Sequence, residues 1–270
     1  MSNRPNKLGG LGPPPPCMPP QPSRGNYGGF ARRPVLLDLY CCAGGAAVGY
    51  YRAGFDVVGV DKEPQPRYPF RFVCDDALIY LRDNSSMYDA VHASPPCQAF
   101  TAGKNGRPER GFNHPRLIEP TRDALRASGK PYIMENVVGA PMDAPIMLCG
   151  TMFGLTVFRH RLFESNCFLM QPPHEKHTAR IGFGGFCCVA GHGDAGKNVR
   201  VPADHRTKAA WEAAMGIDWM HKPELAQAIP PVYTEFLGRQ LLLNVDQTIN
   251  ANPQLLHPVK TGGFRAGGIR

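Results

Sequence analysis

The strongest constraint on the fold is the stretch from Pro34 to Asp61. An apolar run, Pro34-Val35-Leu36-Leu37-Asp38-Leu39-Tyr40, ends in the turn Cys41-Cys42-Ala43-Gly44-Gly45 and passes into Ala46-Ala47-Val48-Gly49-Tyr50-Tyr51. A second run, Val57-Val58-Gly59-Val60, then stops on the acidic Asp61. Strand, glycine turn, helix and strand make the opening unit of an α/β fold. In nucleoside-binding members of that class, small residues let the backbone approach a ligand, and a carboxylate at the tip of the second strand accepts hydrogen bonds from ribose hydroxyls. A glycine turn alone reads as a tight structural turn; Asp61 at the end of the following strand favours a ligand.

The pattern continues. Arg71-Phe72-Val73-Cys74 reads as a third strand, followed by Asp75-Asp76-Ala77 and a short helix through Leu81. Carboxylates there suit an adenine amino group, and equally a plain helix N-cap. Tyr88-Asp89-Ala90-Val91-His92-Ala93 reads as the fourth strand, with His92 as a packed core histidine. It delivers Ser94-Pro95-Pro96-Cys97-Gln98-Ala99-Phe100, in which two prolines fix φ and hold the Cys97 thiol on a backbone with little freedom. A helix is expected from Arg116 to Ser128, then a fifth strand, Pro131-Tyr132-Ile133-Met134, ending on Glu135-Asn136-Val137. Parallel strands share one carboxyl edge, so Asp61, Asp76, Cys97 and Glu135 should line one crevice. Alternation puts Arg159 and Arg161 on one face of a later strand, suited to a phosphate or carbonyl oxygen, or to a surface salt-bridge pair.

Composition narrows the partner and the compartment. A formal net charge of +8 favours an anionic partner, nucleic acid ahead of membrane. Nine cysteines, including the adjacent pairs Cys41-Cys42 and Cys187-Cys188, suit reduced thiols. No apolar run approaches the roughly 18 to 20 residues that span a bilayer, and the N-terminus lacks an apolar signal core, so a cytoplasmic protein is expected. Residues 1–33, rich in Pro and Gly and free of acidic residues, read as an extended basic arm. Gln98 to Pro115 mixes glycines with Lys104, Arg107, Arg110 and His114, as would a loop closing over a phosphate backbone, or a plain solvated loop. From Cys167 to Asp204 the chain turns loop-like. Cys167, His174, His177, Cys187, Cys188 and His192 there raise the question of zinc, but no Cys-x2-Cys or His-x3-His pair occurs, so no metal site is expected. Helices resume over Thr207 to Met215 and Val232 to Leu243, and the segment beyond Asp246 reads as a flexible tail.

With these elements placed, the chain from Val35 to Leu243 resembles the cytosine-C5 DNA methyltransferase family. Asp38-Leu39-Tyr40-Cys41-Cys42-Ala43-Gly44-Gly45 is similar to the family's Asp-Leu-Phe-x-Gly-x-Gly-Gly, and Pro96-Cys97-Gln98 to its catalytic Pro-Cys-Gln. Glu135-Asn136-Val137 matches Glu-Asn-Val, Arg159-x-Arg161 the arginines of Gln-x-Arg-x-Arg, and Ala226-Gln227-Ala228-Ile229-Pro230-Pro231 the closing Gly-Asn-Ala-Val-Pro-Pro. The departures are Cys42 for a glycine, Lys62 where an aromatic or apolar residue often covers the adenine, Val157 for the glutamine and Gln227 for the asparagine.

The resemblance implies an α/β, class I methyltransferase, Rossmann-like doubly wound sheet with a small target-recognition insertion. It implies S-adenosyl-L-methionine as cofactor, held by Tyr40, Ala43, Gly44, Gly45, Asp61, Lys62, Asp76, Ala77 and Pro96, and catalysis by Cys97, Glu135, Arg159 and Arg161. The chain then divides into the arm at 1–33, a catalytic and cofactor-binding domain at 34–166, a target-recognition region at 167–228, a returning helix at 229–245 and a tail at 246–270. Double-stranded DNA is the implied partner of a monomer that needs no membrane. A thiolate at Cys97 would add to cytosine C6, with the positive charge of Arg161 favouring its ionisation. Alternatives are a tRNA cytosine-5 methyltransferase and a catalytically silent nucleic-acid-binding protein on the same fold.

Overall fold

The computed structural model describes residues 32–101, 116–178, 185–189 and 204–251. Their centre is a seven-stranded sheet in the order β3-β2-β1-β4-β5-β7-β6. β1 (Val35–Leu39), β2 (Asp56–Asp61), β3 (Arg71–Cys74), β4 (Ala90–Ala93) and β5 (Tyr132–Val137) are parallel. β6 (Ile146–Leu148) and β7 (Arg161–Ser165) close the far edge antiparallel. The strand order reverses direction at β1 and β4, which opens a crevice at the carboxyl edge between them.

Both faces of the parallel part are dry. Leu36, Tyr50, Phe55, Ile133 and Tyr233 belong to one apolar cluster, and Leu37, Leu39, Val91, Ile118 and Met134 to the other. Helix α1 (Gly45–Ala53) lies on the first face beneath the long helix α7 (Pro231–Ala251), which continues past the Leu243 limit expected from sequence. Their approach is close because α1 carries Gly49: a Cβ there would stand 2.1 Å from Pro231 O and 2.0 Å from Thr234 Oγ1. Helices α2 (Ala77–Asn84) and α4 (Ile118–Ser128) pack on the second face.

A smaller apolar cluster gathers Trp211, Met215, Ile217, Met220 and Leu225 from α5 (Lys208–Met215), α6 (Lys222–Gln227) and their connection, together with Cys187 and Val189. Helix α6 was not expected. It is opened by a capping box in which Glu224 reaches back to His221 N at 2.7 Å. No helix among the described residues is long and apolar enough to cross a membrane.

Candidate active site

The thiol of Cys97 stands where β4 leaves the sheet. Ser94 N donates to Leu39 O at 3.2 Å, and Asn136 Nδ2, from β5, donates to Pro95 O at 2.9 Å, so the proline turn is pinned from both neighbouring strands. Helix α3 (Gln98–Thr101) begins directly after the cysteine. The rest of the expected closing loop, residues 102–115, lies outside the described residues, as do residues 1–31 of the basic arm.

Glu135 lies within β5 and is buried, and its Oε1 accepts from Arg161 Nε at 2.9 Å. Burial raises its pKa above the usual carboxylate value, while Arg161, Arg159 and a hydrogen bond from Ser94 pull the other way. A buried chain of hydrogen bonds runs behind it. Tyr50 Oη lies 2.9 Å from His92 Nδ1, and His92 Nε2 lies 2.9 Å from Ser94 Oγ, which reaches Glu135. His92 is the packed histidine expected, held neutral by burial with a pKa pushed down to about 3. A neutral imidazole that accepts from Tyr50 must donate to Ser94, which leaves the serine proton for the carboxylate.

The electrostatics at Cys97 modify the expectation. Arg161 does favour the thiolate, but burial raises the thiol pKa more strongly, and Glu135 adds to the rise. The resting group is therefore a thiol.

Arg159 is not a strand residue. It precedes β7 with a left-handed φ of 36°, so strand alternation is not what brings it beside Arg161. Its guanidinium is committed to three carbonyls: Nε to Ala228 O at 2.8 Å, NH2 to Ala226 O at 2.9 Å and NH1 to Val189 O at 3.0 Å. Burial, and then Arg161, push its pKa down to about 9. The side chain works as a clamp between the sheet edge and the smaller cluster. A cavity of about 590 Å³ opens along this seam, lined by Met147, Phe158, Arg159, Arg161, Cys188 and Val189.

On the other side of Cys97 the carboxyl edge carries the expected cofactor residues. Asp61, at the end of β2, is nearly buried and receives Cys42 N on Oδ2 at 3.1 Å and Glu63 N on Oδ1 at 3.0 Å. Asp76 caps α2 through Oδ1 alone, accepting from Leu78 N and Ile79 N, which leaves Oδ2 outside the cap. Tyr40, at φ 57°, is close enough to Asp76 to feel its charge, and its hydroxyl meets Thr121 Oγ1 at 3.0 Å. Lys62 is exposed, Pro96 half-buried and Ala77 buried.

The glycine turn is packed differently from expectation. A Cβ on Gly45 would lie 2.6 Å from Ile229 O, and one on Gly44 2.7 Å from Pro69 Cδ. These glycines admit other parts of the chain. Ala43 O is held by Trp219 Nε1 at 2.9 Å, a tie across the sequence that local pattern could not suggest.

Two further groups escaped the sequence. Asp38 is fully buried on β1, where burial raises its pKa to about 8; Tyr68 Oη meets Oδ2 at 3.3 Å, and Oδ1 has no hydrogen-bond partner among the described residues. The second is a cluster of Cys149, His160, His174 and His177. Only His174 and His177 belong to the set considered for zinc from sequence. Cys167, Cys187 and Cys188 stand apart from it, and His192 lies outside the described residues.

No family model matches the chain. In an alignment 124 residues long that covers 38% of this chain and 48% of the relative, it is 31% identical to the type II methyltransferase M.AquIA of Picosynechococcus. Over 119 residues it is 33% identical to the type II methyltransferase M1.HphI of Haemophilus parahaemolyticus, covering 32% of it. The chain thus spans less than half the length of these curated relatives. In structure it is similar to the Entamoeba histolytica methyltransferase EhMeth, with a TM-score of 0.50 and 13% identity over 79% of this chain and 99% of that one. The fold is the α/β fold of class I methyltransferases.

Proposed function

We propose that the protein is a DNA (cytosine-5)-methyltransferase, using S-adenosyl-L-methionine and a covalent adduct between Cys97 and cytosine C6. The observation that carries this reading is the meeting of a rigidly seated thiol with a buried Glu135–Arg161 pair at the switch point of the sheet. The partial sequence likeness to two type II methyltransferases supports methyl transfer as the reaction class.

The residues at the carboxyl edge fit the cofactor. The edge offers acceptors, Asp61 and Asp76, which suit ribose hydroxyls, an amino group and a cationic sulfonium. A dinucleotide pyrophosphate would meet those same carboxylates, and Ile229 O fills the approach to the start of α1 at Gly45. When bound, S-adenosylmethionine supplies an electrophilic methyl group. Cytosine C5 is too weak a nucleophile to take it unaided. Cys97 gives its proton to solvent, its sulfur bonds to C6, and the C5–C6 π pair becomes available at C5. Glu135, whose pKa burial raises against the pull of Arg161, hydrogen-bonds or protonates N3 as charge develops on the ring. Arg161 holds that carboxyl and favours the thiolate. The C5 proton then passes to solvent, the C6–S bond breaks to release the Cys97 thiolate, the C5–C6 double bond re-forms, and any proton on N3 returns to Glu135.

A stacked cytosine hides both faces of this bond, so the base must leave the duplex at a cost of about a few kcal/mol. The net charge of +8 and the arginine-lined cavity suit a duplex partner bound by a monomer. Residues 167–228 carry target choice, and their small size implies a short recognition sequence. Trapping on 5-fluorocytosine duplex DNA tests the proposal: the chain should form a stable covalent adduct, and Cys97→Ser should form none. An adduct with that variant refutes the nucleophile. Labelled methyl groups appearing in tRNA and not in duplex DNA would move the substrate to the RNA alternative.

A further inference from the structure

We infer that Cys149, His160, His174 and His177 form a structural binding site for one divalent transition-metal ion of the zinc class. This stands apart from the proposed reaction and does not depend on it. Their four ligand atoms all lie within 4.8 Å of one another. His177 Nε2 is central, 3.0 Å from His160 Nε2, 3.2 Å from His174 Nε2 and 3.5 Å from Cys149 Sγ. With zinc–nitrogen bonds of about 2.0–2.1 Å and zinc–sulfur bonds of about 2.3 Å, tetrahedral geometry puts the edges near ~3.3 Å for N···N and ~3.6 Å for S···N. The three observed contacts are such edges. The rings meet edge to face, at 88°, 64° and 74°, as ligands arranged around a point do and as a stacked pile does not.

Hydrogen bonding does not account for the cluster. An imidazole nitrogen carries either a proton or a lone pair, so His177 Nε2 cannot donate to one neighbour while accepting from another. Two nitrogens and a sulfur nonetheless converge on it. A cation satisfies all four lone pairs at once. The surroundings suit it: Cys149 is fully buried, Thr151 Oγ1 lies 3.2 Å from its sulfur and can donate to a thiolate, and Phe158 covers His177 at 4.1 Å between centroids. Four protein ligands leave no open position, which is the pattern of a structural metal.

The placement explains what such an ion would do. Cys149 follows β6, His160 leads into β7, and His174 and His177 come from a stretch, 166–178, without helix or strand. The ion would fasten that stretch to the antiparallel edge. It would also fix the backbone of His160, which sits between Arg159 and Arg161. The sequence hides the site because its ligands come from three separate segments, only one of which, with His174 and His177, carries two of them.

Cobalt(II) titration of the reduced, chelator-stripped full chain tests the assignment, alongside the zinc content of unstripped protein. One zinc per chain is expected, and one equivalent of cobalt should give the intense visible bands of a tetrahedral complex with a near-ultraviolet thiolate band. Cys149→Ser should lose the thiolate band, and His177→Ala should weaken cobalt binding by at least ~10-fold. His174→Cys, which keeps a ligand, should still bind one equivalent and gain a second thiolate band, so that a folding defect in the other variants cannot mimic the result. A chain that carries no zinc and takes up no tetrahedral cobalt overturns the site. So does a cobalt spectrum that is unchanged in all three variants.

Discussion

The two ends of the sheet are built by different means. From β3 to β5, parallel ladders and two dry apolar clusters define the structure, and the expected cofactor residues project from strand ends whose register those ladders set. At the antiparallel edge, side chains take over. Arg122 of α4 grips Glu164 of β7 through two bonds of 2.7 and 2.8 Å, and the same carboxylate accepts Asp143 N. Ser165 and Asn166 satisfy both backbone groups of Tyr132, while Arg159 holds three carbonyls. Trimming one buried apolar residue costs its own contacts and leaves a cavity, whereas removing a charged clamp strands several buried acceptors at once.

The sharpest way to break this comparison is Arg159→Met, which keeps the length of the side chain and deletes its three hydrogen bonds. Stability in urea at pH 7 should fall by about 4 kcal/mol, since each bond from a charged donor contributes roughly 1.5–3 kcal/mol and the effects are not fully additive. A loss of about 1 kcal/mol or less would mean that the antiparallel edge does not depend on this clamp.

A titration separates the halves next. Asp38 lies in the parallel half, where burial raises its pKa to about 8, Tyr68 opposes the rise and Asp61 adds to it. The folded value lies above the unfolded 3.8, so between those values the native chain holds a proton that the unfolded chain has lost. Its contribution to stability is complete below 3.8 and is lost as pH rises to about 8. Asp38→Asn removes the titration. Chemical denaturation between pH 5 and 7 should show the wild-type chain losing more stability than the variant, by about 1 kcal/mol per pH unit. Parallel slopes would place the titrating groups at the other end of the sheet.

The same division decides what the sequence could reveal. Strands β1 to β5 and the edge they share were legible because apolar runs, turn residues and acidic strand ends are local patterns. The proximity of Asp61, Asp76, Cys97 and Glu135 follows from parallel topology alone. Roles that depend on distant chain were not legible: Trp219 holding Ala43, Arg159 spending its donors on Ala226 and Ala228, Gly45 making room for Ile229. Alternation along one strand suggested why Arg159 and Arg161 are neighbours, yet a left-handed residue before the strand supplies the actual geometry.

The smallest predicted effect probes the parallel half at its turn. Cys42 is exposed and holds φ at 44°, a left-handed conformation that costs a side-chain-bearing residue roughly 1 kcal/mol. Glycine would relieve that strain but would enlarge the conformational freedom of the unfolded chain. Cys42→Gly should therefore raise stability by only about 0.5 kcal/mol. What it does to the cofactor edge is more telling. Asp61 accepts from the backbone N–H of this residue, which glycine keeps, and also hydrogen-bonds its thiol, which glycine deletes. With the backbone bond still holding the carboxylate, S-adenosylmethionine affinity by calorimetry should change little; markedly weaker binding would show that the thiol is needed to position Asp61 or the ligand, and that this edge, too, relies on an individual side chain.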